Sequence, residues 1–339
     1  MPLQSSGSIS LNEIHIEAGG SSGTTASLND SDIRALIDKS AGAQNAFNEY
    51  YGASAATDLA PVGGTQINGQ NQLKQITVSS YISSGGTLNI PSDMWVWSDS
   101  TSVAALIVDI PCTINNSGKI IGKGGRGGYR AFNNTIAAEA GGPAINVTSS
   151  GVTIVNNSGA YIAGGGGGGG HRQDGGSAND SNAGGGGGAG GGQGGNARNG
   201  GFLGGAGGVL NAVGGDEYRT SDNYTTYSNS GGGAGGAGGG FGYGGGGGGR
   251  ILPGTGGTLG GVFASNSQLA GELCEGGSAG GTGYGPNPTG YAYSDLAAGG
   301  GGWGAAGGNG TSSNGAAGGA AITGTSRTLT NNGTIYGST

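Results

Sequence analysis

The chain has 339 residues, of which 90 are glycine and only 9% are charged. This composition excludes an ordinary globular enzyme, in which glycine contributes roughly 7% of residues, and the irregular glycine spacing with only 8 prolines excludes a collagen triple helix. A net charge of −7 without a basic cluster argues against nucleic acid as a partner.

The N-terminal residues lack the basic and apolar regions of a secretory signal, and no apolar run approaches the length of a membrane span. We therefore expect a chain that is made in the cytoplasm and is not membrane-embedded. The two cysteines, Cys112 and Cys274, are far apart in sequence and are interpreted as free buried thiols.

Residues 1–54 are predicted to form a compact unit. The partial alternation of Ile14 and Ile16 with His15 and Glu17 predicts a half-buried strand over 9–17. A cap-forming run followed by Ile33, Leu36 and Ile37 predicts one short helix near 31–39. Small polar residues over 55–72 are typical of a linker.

Three phrases in this unit resemble a known segment. The run SGSISLNEIHIEAG is followed by SLNDSDIRALI and FNEYYG. Together they are similar to the opening segment of many tailed-phage structural proteins. The resemblance implies that residues 1–54 attach the protein to other phage tail or fibre proteins. The alternative is a small cap without a partner.

A strand, an Asn-rich turn and a second strand recur three times, at 113–125, 153–166 and 328–339. The apolar positions alternate within each arm, which predicts hairpins or coils of one β-layer. We therefore predict a β region over 73–140 and a closing β unit over 328–339. Because the second and third copies bracket the glycine-rich part, the chain between them is expected to leave a β-layer and return to it.

The glycine runs between these copies predict close backbone packing. Ordering glycine is entropically costly, and without side chains only hydrogen bonds between neighbouring backbones can offset that cost. Left-handed helices of the polyproline-II type direct their amides toward neighbours with a period of three residues. Trp303, Ala306 and Asn309 share one such phase. We predict a polyglycine-II bundle over 141–327; the alternatives are a β-solenoid throughout and a flexible tether.

The predicted fold class is thus a mostly β N-terminal half with one short α-helix, followed by a glycine-rich polyglycine-II bundle with β-strand bookends. Four segments between the glycine runs, at 171–183, 209–230, 250–275 and 284–298, are rich in Tyr, Ser, Asn and Asp, as antibody paratopes are. Their candidate binding residues are His171, Arg172, Asp174, Tyr218, Arg219, Tyr224, Tyr227, Arg250, Tyr284, Tyr291 and Tyr293.

Glycine runs that alternate with such loops after a β attachment region resemble the tail-fibre tip adhesins of T-even-like bacteriophages. The resemblance covers 141–319 and implies a virion protein whose loops bind a bacterial outer-membrane protein or surface glycan. The alternatives are a structural or decoration protein of the virion and an ice-binding glycine-helix protein.

Catalytic chemistry is not indicated. His15 and His171 are the only histidines, and neither has the sequence neighbours of a triad or metal site. The glycine strings lack the Lys-Ser/Thr of a phosphate-binding loop. We therefore expect no enzyme activity, no metal and no cofactor.

Overall fold

The computed structural model describes residues 3–37, 39–40, 42–53, 55–61, 66–67, 70–131, 134–171, 184–193, 299–310, 312–324 and 326–339. Within these ranges the protein is mostly β, with two short α-helices near its N-terminus. Residues 194–298, which are part of the predicted glycine-rich bundle, lie outside the described residues.

The first helix, α1 (Leu11–Glu17), occupies the segment for which the sequence predicts a strand, so that prediction is wrong. A reciprocal cap explains the difference: Ser10 Oγ accepts from the Glu13 amide at 3.2 Å, and Glu13 Oε2 accepts from the Ser10 amide at 2.7 Å. The Ser-x-x-Glu spacing is a helix-start signal that outweighs four residues of apolar alternation.

The second helix, α2 (Ser31–Ala35), lies within the predicted helix but is shorter. Ile33 packs with Leu3, Ile14 and Tyr50 in a small separate core, all of them buried. The 3-10 helix Phe47–Tyr50 places Tyr50 in this core, where Asn45 Nδ2 donates to its hydroxyl at 2.8 Å. Residues 3–53 therefore have a core of their own.

The chain then builds a three-sided parallel β-solenoid. Sheet 1 has the order β1-β5-β8-β13-β16, sheet 2 has β17-β14-β9-β6-β3-β2, and sheet 3 has β15-β12-β7-β4. Within these three sheets, the pairings of the described strands are parallel except that of β2 with β3. The strands are β1 (Ala56–Asp58), β2 (Gln66–Ile67), β3 (Gln70–Lys74), β4 (Ile76–Thr77), β5 (Thr87–Ile90), β6 (Met94–Trp97), β7 (Leu106–Val108), β8 (Thr113–Asn116), β9 (Lys119–Ile121), β12 (Ile145–Val147), β13 (Val152–Asn156), β14 (Tyr161–Ala163), β15 (Ile322–Gly324), β16 (Arg327–Asn331) and β17 (Thr334–Tyr336).

Each rung visits the three sheets in order, and apolar side chains stack between rungs. In sheet 1, Leu88, Ile114 and Ile154 are in register and fully buried. Sheet 2 contributes a stack of Val96, Ile120 and Ile162 to the same core.

The residues predicted as a linker, 55–72, include β1, β2 and part of β3. Strand β1 pairs in register with β5, and β3 pairs with β6. The solenoid therefore begins at Ala56.

The repeated Asn pair forms two side-chain ladders along sheet 1. In the inner ladder, Asn116 Nδ2 donates to Asn156 Oδ1 and Asn156 Nδ2 donates to Asn331 Oδ1, each at 2.8 Å. An outer ladder runs from Asn157 to Asn115 at 2.7 Å and from Asn115 to Asn89 at 3.1 Å. The three sequence copies are thus corners of successive solenoid coils.

Replacing the middle of the inner ladder tests its contribution. Asn156→Ala removes the acceptor of the buried Asn116 side-chain amide and the donor to Asn331, so we expect the free energy of unfolding to fall by about 2 kcal/mol. Urea denaturation followed by circular dichroism measures this. The control Asn332→Ala changes an exposed neighbour, and equal stability of the two variants would contradict the prediction.

The glycine segments are insertions at one corner of the solenoid. The connection from sheet 2 to sheet 3 spans 98–105 in the second rung, 122–144 in the third and 164–321 in the fourth. We call the described segments of these insertions, which are neither helix nor strand, rods. They are rod 1 (122–128), rod 2 (137–144), rod 3 (164–171), rod 4 (184–189), rod 5 (190–193), rod 6 (299–302), rod 7 (304–310) and rod 8 (313–321).

The rods hydrogen-bond to one another with a period of three residues. Amides of Gly122, Gly125 and Gly128 donate to rod 3 or to Ala163 just before it, at 2.8 to 2.9 Å. Those of Gly124 and Gly127 donate to rod 5. Residues 123, 126 and 129 are the half-buried ones of this stretch, again at spacing three. This period differs from the two-residue alternation of a strand.

Rod 3 is surrounded by six neighbours. Its amides donate to rods 2, 4 and 7, and its carbonyls accept from rods 1, 6 and 8. For example, the Gly165 amide donates to Gly142 at 2.9 Å, while its carbonyl accepts from Gly319 at 2.7 Å. Every residue of rod 3 is buried. The β-solenoid that the sequence offers as an alternative for the whole chain is therefore present in the sheets, and the described rods lie outside those sheets.

Two turns of the rods cover the outer face of sheet 2. Trp303, between rods 6 and 7, is fully buried and meets Tyr161 and Tyr336, with ring centroids 6.2 and 5.8 Å away. Ala189, at the turn after rod 4, joins the same cluster. Trp303 thus fastens the rods to the solenoid, whereas Ala306 and Asn309 of its predicted phase are exposed.

The glycine requirement of rod 3 can be tested with one added carbon atom. In Gly165→Ala the new Cβ would overlap the Lys123 carbonyl group of rod 1, and backbone on both sides leaves no space to move. We expect a loss of about 2 kcal/mol or more in the free energy of unfolding.

The matched control is Ala306→Ser, which adds one atom at an exposed rod position and should cost less than about 0.5 kcal/mol. Thermal unfolding monitored by circular dichroism measures both variants. Equal free energies of unfolding for Gly165→Ala and the control would contradict the requirement for glycine at this position.

Candidate functional site

The rods share one end that points away from the solenoid, which we call the distal end. Rods 1 and 3 leave sheet 2 at Gly122 and Gly164, so Gly128 and His171 are distal. Rod 4 is antiparallel to rod 3, because Gly169 donates to Gly186 and Gly166 to Ala189. Rod 4 therefore begins at the distal end.

Hydrogen bonds between the rods also show at which end rod 5 ends and rod 6 begins. Gly127 donates to Gln193, which places the end of rod 5 toward the distal end, and Gly308 donates to Gly299 beside the end of rod 3. Residues 172–183 and 194–298 thus start from and return to described residues at this end. All four segments with candidate binding residues fall within or next to these two stretches.

Ten of the eleven candidate residues lie outside the described residues, so their contacts stay a prediction. They are Arg172, Asp174, Tyr218, Arg219, Tyr224, Tyr227, Arg250, Tyr284, Tyr291 and Tyr293.

The eleventh candidate, His171, is fully buried in the described part of the chain, and its contact with a receptor stays a prediction. Its amide donates to Ser313 Oγ at 2.9 Å, and the same Oγ lies 2.7 Å from His171 Nδ1. This geometry suits a serine hydroxyl that donates to a neutral imidazole. His171 therefore joins the end of rod 3 to the start of rod 8.

A short hairpin at the distal end was not predicted as part of the site. Strands β10 (Tyr129–Ala131) and β11 (Asn134–Ile136) pair antiparallel between rods 1 and 2. The Arg126 guanidinium lies 5.3 Å from the Tyr129 ring centroid and 3.1 Å from Glu139. The sequence YRAFNNTI has the composition of the other four segments, so this hairpin could be identified from its composition.

Other chemistry is sparse in the described part of the chain. There, no group of three or more His, Cys, Asp or Glu side chains could hold a metal ion, and no helix is long and apolar enough to cross a membrane. Cys112 is a free buried thiol, and burial with nearby Asp109 raises its pKa to about 11. Cys274 lies outside the described residues.

The contact between His171 and Ser313 can be tested at the distal end. Ser313→Ala removes both bonds, so we expect the local opening free energy of rod 3 to fall by about 1 to 3 kcal/mol. Native-state hydrogen exchange of amides 168–171 measures this. The exposed Ser326→Ala is the control, and unchanged exchange in Ser313→Ala would show that the bonds contribute nothing.

Comparison with known proteins gives two findings. The family model described as phage tail fibre adhesin Gp38 matches residues 64–243, just over half of the chain. Among solved structures, the chain is similar to the crystal structure of the gp37-gp38 adhesin tip complex of the bacteriophage S16 long tail fibre, with 20% identity, 96% of each chain covered and a TM-score of 0.50. At this identity the likeness concerns the fold alone. No curated protein matches the chain.

Proposed function

Because the chain belongs to the phage tail fibre adhesin Gp38 family, we propose that it binds a bacterial outer-membrane protein or surface glycan through segments at the distal end of the rods. Membership of this family makes it a protein of the virion tail. The receptor contacts are assigned to residues 172–183, 209–230, 250–275 and 284–298, with the hairpin 129–136 beside them.

The proposal is supported by the position of the residues that flank the two long insertions, which lie together at the distal end of the rods. His171, Gly184, Gln193 and Gly299 flank the two long insertions, and their rods bond to one another in register. Loops held by a rigid scaffold are the usual place for binding residues. Tyr and Arg, which recur in these segments, are enriched at binding hot spots.

We further propose that the glycine-rich part as a whole, 141–327 with rods 1 and 2, is a polyglycine-II bundle. The period of three in rods 1 and 3 and the six neighbours of rod 3 support this assignment. Such a bundle positions its loops without a large apolar core. Loop sequences can then vary while the backbone hydrogen bonds are kept.

Attachment to the particle is assigned to residues 1–54. Three large apolar side chains are exposed there, Ile16, Phe47 and Tyr51, with exposed fractions of 46%, 41% and 36%. These side chains are the candidate contacts for a protein partner. The similar solved structure is a complex of gp37 with gp38, which makes a tail fibre protein the expected partner.

Adhesins act by binding, so we assign no catalytic step to this protein. The second candidate function is a structural or decoration protein of the virion, which shares the rods and the N-terminal unit. The two functions differ in whether the distal segments contact the host cell. Adsorption of loop variants therefore separates them.

The segment 216–230 is the sharpest test, since it contains three tyrosines and Arg219 but no glycine. Changing Tyr218, Arg219, Tyr224 and Tyr227 together to alanine should reduce adsorption to host cells by at least about 30-fold, the effect of losing one central hot-spot residue. Folding and particle assembly should be unchanged, because the described rod contacts do not involve these residues.

The control for this variant is Ser92→Ala, Thr328→Ala and Thr330→Ala together, at exposed positions of the solenoid. Adsorption of purified particles and pull-down of the protein with host cells provide the measurements. Normal adsorption by the assembled quadruple variant would favour the decoration protein.

A further inference from the structure

A polar cleft lies beside rods 1 and 2 where they leave the solenoid. Its volume is about 560 Å³, within the range of roughly 300 to 1,000 Å³ that is usual for small-molecule sites. The walls come from the corner after β6, from rods 1 and 2, and from rod 5. Ser100, Thr101 and Gln193 supply hydroxyl and amide groups to the lining.

The charged side chains in and beside the cleft have a net positive charge. Asp99 Oδ2 lies 2.8 Å from Lys74 Nζ, and Glu139 Oε1 lies 3.1 Å from Arg126 Nη2. Each carboxylate therefore has its own cation. Lys123 is the remaining charge, and its ammonium donates to a neutral acceptor, the Gly191 carbonyl, at 2.5 Å. The five groups together have one excess positive charge.

This excess charge is held where water cannot fully solvate it. Burial lowers the pKa of Lys123, although Asp99 and Glu139 act in the opposite direction. An ammonium group has three donors, so two remain for a ligand beside the bond to Gly191. An oxyanion next to this ammonium would stabilise its charged form.

A second cation lies on the same rod. Arg126 also lines the cleft, where its guanidinium lies 3.1 Å from the Glu139 carboxylate. Because the rod repeats every three residues, Lys123 and Arg126 occupy the same side of it and both line the cleft. The cleft is much larger than one oxyanion, which leaves room for a polyhydroxylated group.

We propose that this cleft binds an acidic saccharide unit, with its carboxylate or phosphate on Lys123 and its hydroxyls on Ser100, Thr101 and Gln193. The site lies along the side of the rods, and its Gln193 wall adjoins the distal end. It would bind such a sugar in the purified protein whether or not the distal segments contact a receptor.

Isothermal titration of the full chain with four probes tests the proposal. Glucuronate and glucose 6-phosphate distinguish a carboxylate from a phosphate source, glucose lacks the charge, and inorganic phosphate lacks the sugar. We expect saturable binding of at least one acidic sugar and none of glucose. No saturable binding of either acidic sugar at millimolar concentrations would overturn the proposal, and equal binding of inorganic phosphate would overturn its saccharide part.

Lys123→Met should weaken the binding by at least about tenfold, the usual effect of losing a charge-assisted hydrogen bond. The matched control is Lys119→Met. Lys119 is also partly buried, with Nζ 5.1 Å from the Trp95 ring centroid and bonded to the Ser92 carbonyl at 3.3 Å, but it lies outside the cleft. Equal affinity of the two variants would contradict the assignment.

A second measurement needs no variant and covers the case in which Lys123→Met fails to fold. The lysines of the wild-type chain are acetylated with and without the acidic sugar, and each site is quantified by mass spectrometry. The sugar should slow modification of Lys123 and leave Lys119 unaffected. The same rate at Lys123 in both samples would overturn the proposal.

Discussion

The structure depends on the distance at which two backbones can approach when neither has a Cβ atom. At Gly165 and Gly168 an added methyl would overlap carbonyl groups of rod 1. The resulting bonds of 2.7 to 2.9 Å satisfy the amides of rod 3 from all sides, in a region where almost no side chain is available for packing. Glycine is therefore the residue that allows the rods to pack at hydrogen-bonding distance.

The solenoid supplies what the rods lack. Its stacked Ile, Leu and Val side chains form an ordinary apolar core, and the two Asn ladders fix the register of its corners. The rods begin as extensions of sheet 2, since Gly122 donates to Ala163 and Gly164 to Tyr336. Trp303 then packs the returning chain onto the same sheet. The side-chain core of the solenoid therefore fixes the positions from which the rod backbones hydrogen-bond to one another.

Much of this arrangement could be predicted from the sequence, for reasons that differ between elements. The repeated TINN, TIVNN and TLTNN phrases predict coils of one β-layer, because each coil needs the same corner. Pairing partners could not be predicted, since β12 pairs with both β7 and β15 and only the three-dimensional stacking brings them together. The strand prediction at 9–17 is wrong, because the capping box of Ser10 and Glu13 favours a helix over the alternation of Ile14 and Ile16. The burial of His171 could not be predicted, because Ser313, whose hydroxyl lies beside the His171 ring, is far away in sequence.

The size of the insertion in the fourth rung has a consequence for the order of folding. Strands β14 and β15 are consecutive in the solenoid but are separated by residues 164–321, so their shared rung has a very high contact order. Loop-closure entropy rises only with the logarithm of loop length, so the finished protein tolerates this separation. A growing chain on the ribosome does not have the same freedom. It can complete the first two rungs early, but the core residue Ile322 reaches the fourth rung only after residues 164–321 have been synthesised.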